Sequence, residues 1–148
     1  MKCSAEFVIA YNNMFKFLND HFDGTTVETF WEHLSDLLCQ RMVHLAKTKG
    51  IPGLVEYWAE TLEAEGARCK IIFNTNGQRS MLTIQMFECP SIKKLKEHDI
   101  EPCSQYCGHC QIMYQRALEK VGLHFECSPL MDGRCHITVF EKGYTHAK

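Results

Sequence analysis

The residues best suited to chemistry in this chain are its cysteines. Nine occur among 148 residues, and the densest group reads Cys103-Ser-Gln-Tyr-Cys107-Gly-His-Cys110. Thiolate sulfur is a soft donor that selects zinc and iron–sulfur clusters over hard cations. The Cys-x3-Cys-x2-Cys spacing equals that of the cluster-binding triplet in radical enzymes using S-adenosylmethionine. Those enzymes carry it early in a barrel of roughly 200 residues, whereas 38 residues follow Cys110 here, so that class is not expected. Were Cys103 already helical, the three sulfurs would spread along about 10 Å of axis, too far for one zinc ion with bonds of about 2.3 Å. Ser104 offers a way out as an N-cap. Cys103 then lies in the preceding loop and Cys107 in the first helical turn, where free amides and the helix dipole favour a thiolate. Three readings stay open: a metal or cluster site, a buried stripe of Cys107, Cys110 and Tyr114, and a single reactive thiol.

Cys127 and Cys135 form a second constellation. Alternation puts Cys127 on one face with Leu123 and Phe125, and Cys135 with Ile137 and Val139, so both point at the core from two arms of one hairpin. As cross-strand neighbours their Cβ atoms would be roughly 5 Å apart, fit to share a metal or simply to pack. Cys89, just before Pro90, is the candidate further ligand. Cys3, Cys39 and Cys69 sit in packing patterns. Among the histidines only His109, between two cysteines, falls in a plausible ligand or supporting shell. His124 and His136 alternate away from the hairpin thiols, as does Glu126 unless its strand bends, and His33 and His44 belong to the polar side of a helix.

Three helices are expected first. Phe7 to Phe22 repeats apolar residues at three and four; a capping box of Thr25 and Glu28 opens a second helix whose stripe of Val27, Phe30, Trp31, Leu34, Leu37, Leu38, Met42 and Leu45 runs to Lys49-Gly50; Pro52 opens a third that ends at Gly66. The period then becomes alternating. Cys69–Phe73 and Met81–Phe87, around Asn76-Gly77, read as a hairpin, and Leu123–Cys127 with Cys135–Phe140, around Asp132-Gly133, as another. Helices from about Ser91 to Glu97 and from about Ser104 to Val121 lie between them. The expected fold is a single α+β domain over residues 1–148: a four-stranded, mostly antiparallel sheet from two hairpins, packed against helices and in particular against Trp31, Leu34 and Leu38.

Composition narrows the function classes. A net charge of -2 without a basic block argues against nucleic acid as a partner. No run approaches the roughly 18 apolar residues of a membrane span, and the first twenty residues, with Lys2, Glu6 and Lys16, lack the apolar core of a signal peptide. A cytoplasmic protein with reduced thiols is the expectation, since an odd cysteine count without an export signal does not suit a disulfide framework.

From Phe87 onward the chain resembles a known family. The run Cys89-Pro90-Ser91-Ile92 with Leu95, then Cys103 and Cys107, Gly122 before a strand, and Gly133-Arg134-Cys135 before alternating apolar residues is similar to the C-terminal half of the L-2-amino-thiazoline-4-carboxylic acid hydrolase family. The resemblance covers about 60 residues. It implies water addition to the C=N bond of a small cyclic amidine; in an enzyme reading of the residues, a cysteine-held zinc would activate the water and His109 or Glu126 would carry the proton. Glu126-Cys127 through Gly133 to Cys135 is also similar to the 4-vinyl reductase domain. That likeness implies a non-enzymatic small-molecule or redox sensor in which Cys127 and Cys135 help to hold zinc, or an iron–sulfur cluster is bound. Both readings share a metal set drawn from Cys89, Cys103, Cys107, Cys110, Cys127 and Cys135. Both also share a small-molecule ligand or substrate, and both admit a homodimer.

Overall fold

The computed structural model describes residues 4–77 and 79–143; Cys3 lies outside them. Four helices come first: α1 (Ala5–His21), α2 (Gly24–Leu38), α3 (Gln40–Lys49) and α4 (Ile51–Glu65). A hairpin of β1 (Arg68–Asn76) and β2 (Arg79–Glu88) follows, then α5 (Pro90–Glu97), α6 (Tyr106–Glu119), and a hairpin of β3 (Leu123–Pro129) and β4 (Cys135–Glu141). The fold is α+β. The hairpins join through β2 and β4 into one antiparallel sheet of order β1-β2-β4-β3.

Local chemistry explains the boundaries. Ser4 caps α1, accepting from the Phe7 amide at 3.2 Å. Asp23 rather than Thr25 caps α2: its carboxylate accepts from the Thr26 amide at 2.8 Å, and a charged acceptor outcompetes a hydroxyl at the positive end of a helix. Gly66 ends α4 with φ 74, the left-handed conformation expected there. In the first hairpin Asn76 pairs with Arg79, so Asn76 belongs to the ladder and the loop begins at Gly77, one residue later than the sequence suggested.

Two expectations are corrected. The second helix is not continuous, for Cys39 leaves helical geometry at φ -94, ψ 12 and serves as the end of α2 and the start of α3. The hydrogen bonds Cys39 N to Ser35 O and Val43 N to Cys39 O, each 3.0 Å, run straight across the break, so the burial period persists through it while Leu37 and Leu38 turn to solvent. The sheet, moreover, does not rest on Trp31, Leu34 and Leu38. Trp31 meets Phe15 of α1 edge-on at 5.4 Å, while α4 and α6 supply the sheet's helical layer: Phe125 of β3, fully buried, stacks on Trp58 at 6.3 Å and lies 5.4 Å from Tyr114.

The α3–α4 corner depends on close backbone approach. A Cβ on Gly53 would meet the Leu45 carbonyl, 2.8 Å from its carbon. Gly53→Ala gains about 1 kcal/mol of helix propensity yet is expected to lose stability by about 1–3 kcal/mol net, because overpacking against rigid backbone cannot be relieved by a rotamer change. A urea midpoint equal to or above that of the parent would contradict this.

Candidate functional site

Five of the six cysteines singled out by sequence gather where α5, the start of α6 and the β3–β4 hairpin meet. Cys107 and Cys110 each feel the charge of Cys89 and Cys127, and Cys135 feels that of Cys127, Cys89 and Cys110. Each arrives by a different local rule. Cys89 directly follows β2 and occupies the capping position of α5; its amide donates to Gly133 O at 2.9 Å, tying the end of β2 to the β3–β4 loop. Its sulfur makes no strict cap hydrogen bond, but the Ile92 and Ser91 amides face it and favour the thiolate, against burial, which pushes the thiol up and prevails. Cys107 stands in the first turn of α6. That helix begins at Tyr106 with Gln105 in the capping position and no side-chain cap, so Ser104 is an exposed turn residue rather than the cap.

Cys127 and Cys135 share the helix-facing side of the sheet, as alternation requires. They are diagonal rather than direct partners: Cys127 faces Ile137 and Cys135 faces Pro129 across the ladder. Their thiols nevertheless meet. Cys135 donates a hydrogen bond to the Cys127 sulfur, which favours the thiolate at Cys127 and holds the proton on Cys135. Burial pushes Cys107 up and Cys110 further still, so without a cation these sulfurs stay protonated.

Cys103 is placed elsewhere. It is buried, its sulfur accepts from Asn19 Nδ2 of α1 at 3.1 Å, and its amide donates to Asn12 Oδ1 at 2.6 Å. Asn12, fully buried, also donates from Nδ2 to Glu101 O at 3.1 Å, so one amide pins the loop before α6 to α1. Gln111 plays the corresponding part on the other side: its Oε1 accepts from the Cys127 amide at 2.7 Å and its Nε2 donates to Phe125 O at 3.1 Å, while Gln115 Oε1 accepts from the Phe125 amide at 2.9 Å. Sequence reading passed over all four amide side chains. For Asn12 the available signal was its place in the helical row of Val8 and Phe15; for Gln111 and Gln115 there was only their spacing of four on one helix face.

Of the two proposed proton carriers only His109 reaches a thiol. Glu126 is exposed on the opposite side of the sheet, 3.1 Å from His124 Nε2. His109 lies in an aromatic nest, with ring centroids of Tyr106, Phe15, Trp31 and Tyr11 at 4.9, 5.0, 6.3 and 6.5 Å. Its Nδ1 donates to the Tyr106 carbonyl and its Nε2 stands 3.8 Å from the Cys110 sulfur. Burial holds its pKa below 6.5, outweighing the Tyr106 hydrogen bond. As pH falls through about 6.5 the unfolded chain takes up a proton that folded His109 resists. Stability should therefore drop by up to about 1.4 kcal/mol per pH unit until the lower folded pKa is passed, then level off. His109→Phe, which keeps the aromatic packing, should flatten that part of the melting-midpoint profile; an unchanged slope would mean that another group carries it.

The thiol region opens to solvent at a groove of about 600 Å³, where Cys107 lines a wall with Ile92, Ile100, Pro102 and Leu130, and where Lys96, Asp99, Glu101 and Asp132 supply polar groups. Asp99 and Asp132 have φ of 54 and 59, the left-handed region that aspartate tolerates, and a Cβ on Gly133 would press within 3.0 Å of Ile92 Cγ2. The groove floor is thus built from tight turns. Among the described residues no three Cys, His, Asp or Glu side chains yet stand at mutual ligand spacing. The donor set itself suits a soft metal, since thiolate sulfur is a soft donor that selects zinc and iron–sulfur clusters. No helix among the described residues is long and apolar enough to cross a membrane.

No protein-family model, curated protein or solved structure matches the chain.

Proposed function

We propose that the protein is a thiol-ligated metal module of the L-2-amino-thiazoline-4-carboxylic acid hydrolase-like kind, holding zinc or an iron–sulfur cluster and taking a small molecule in the adjoining groove. The observation that carries this is the convergence of Cys89, Cys107, Cys110, Cys127 and Cys135 from four separate elements onto one region. Core packing needs no such convergence of a single residue type. Cys127 and Cys135 would be the first two ligands, with one or two more drawn from Cys107, Cys110 and Cys89 to make three for an open zinc site or four for a closed site or a cluster. Cys103, engaged by Asn19, is left out of it.

Two sub-readings are separated by where protons can go. The binding or sensing role, like that of 4-vinyl reductase domains, is favoured because Glu126 faces away from the thiols and His109, 3.8 Å from Cys110, is otherwise enclosed by aromatic rings. Hydrolysis of a C=N bond is favoured by one feature, that Cys107 belongs to both the thiol region and the groove wall, so a bound molecule would sit beside the metal. A zinc ion with an open position would supply Lewis acidity and an acidified water there. Metal analysis and an absorption spectrum of protein purified without oxygen test the proposal: one zinc, or iron with broad visible absorption, supports it, and protein consistently free of both refutes it.

A further inference from the structure

The two edges of the sheet are treated differently. On β3 the outward backbone is closed by α6, since Gln111 and Gln115 take the Phe125 and Cys127 amides and the Phe125 carbonyl. On β1 nothing does the same: the strand pairs with β2 alone, and no backbone hydrogen bond reaches its other side over residues 69–75 among the described residues. Phe73, in that stretch, is 41% exposed. A long open edge presenting an exposed aromatic invites strand addition.

We propose that β1 is a self-association edge, across which a second copy of this chain adds antiparallel about a two-fold axis at Ile72, giving a continuous eight-stranded sheet. The argument is the self-complementarity of the strand. The ladder within the chain is irregular between Arg68 and Cys69 and regular from Cys69 to Asn76, and a two-fold at Ile72 pairs residues 69–75 of that run, the stretch whose outward backbone is open. It sets Cys69 opposite Thr75, Lys70 opposite Asn74, Ile71 opposite Phe73 and Ile72 opposite itself. Both Phe73 rings gain an aliphatic cross-strand partner, a favourable pairing. No like charges face each other, whereas moving the axis to Lys70 would set the two lysines against each other. An isologous interface of this kind closes at two copies and leaves no further edge, because β3 is already sealed. The inference does not rest on the metal reading, since the thiols contributed by the sheet stand on β3 and β4.

Sedimentation velocity of the full chain over a concentration series, with two opposed substitutions at one exposed position, tests it. The parent should dimerise. Asn74→Lys sets Lys against Lys70 of the other copy twice and should raise the dissociation constant about tenfold, while Asn74→Glu sets an opposite charge there and should lower it comparably. Circular dichroism of both variants should match the parent, which separates lost association from lost folding. A parent that remains monomeric, or a dimer indifferent to both substitutions, overturns the proposal; so does a stable complex with a different protein in place of the dimer.

Discussion

Serine at both Cys127 and Cys135 is expected to leave the protein without stoichiometric metal and to lower its melting midpoint to that of the chelator-treated parent. The expectation follows from linkage. A ligand that binds only the folded state stabilises it by about 4 kcal/mol when present at a thousand times its dissociation constant, and metal sites seldom exist in the unfolded chain. Hydroxyl oxygen is a poor substitute for thiolate towards soft metals, and in this pair Cys135 already favours the thiolate at Cys127. The variant should therefore be insensitive to chelator while the parent is not. Two controls sharpen the test. Cys103→Ser should retain metal, because its sulfur faces Asn19; Cys39→Ser, deep between helices at 3% exposure, should cost stability alone. Full metal content in the double variant would remove these two cysteines from the site.

Phe125→Ala should be the most damaging single truncation of the core. The ring is fully buried between Trp58 of α4 and Tyr114 of α6, so its loss deletes an apolar contact that both covering helices make with β3. Phe to Ala at such positions costs about 3–5 kcal/mol from lost transfer energy plus the cavity left behind, against a total stability of about 5–15 kcal/mol for a domain of this kind. Phe125→Leu, which refills most of the volume, should lose markedly less. Urea unfolding of the pair measures it, and equal losses for Ala and Leu would show that the aromatic stack, rather than the filled volume, carries the contribution.

The sequence was most legible where side-chain period maps directly onto burial. The alternation of Leu82, Ile84 and Met86 on β2, and of Phe125, Ile137 and Val139 in the second hairpin, placed the strands and their inward faces, and Gly66 marked a helix end through a conformation that only a few residues accept. It was least legible where a hydrogen bond outweighed hydrophobicity. The kink at Cys39 keeps the burial period, so Ser35, Cys39 and Met42 stay inside while the more apolar Leu37 and Leu38 do not. Cys103 carried the same spacing signal as Cys107 and Cys110, but the loop before α6 is anchored by Asn12 and Asn19 from about ninety residues away, and no local pattern encodes so distant a partner. The gathering of thiols could be read because sequential elements pack together; the diagonal register of Cys127 and Cys135 could not, because it depends on the length of a loop containing a single 3-10 turn at Met131–Gly133.

The glutamine hooks on β3 also change what the edge strand's amide protons report. The Phe125 and Cys127 amides donate to side chains of α6 rather than to another strand. Their exchange with solvent deuterium is consequently governed by the free energy of lifting α6 from the sheet, a partial opening that leaves the β3–β4 ladder closed. Two backbone positions, one of them belonging to a thiol of the site, thus act as a built-in gauge of helix docking, separate from the global unfolding of the sheet they belong to.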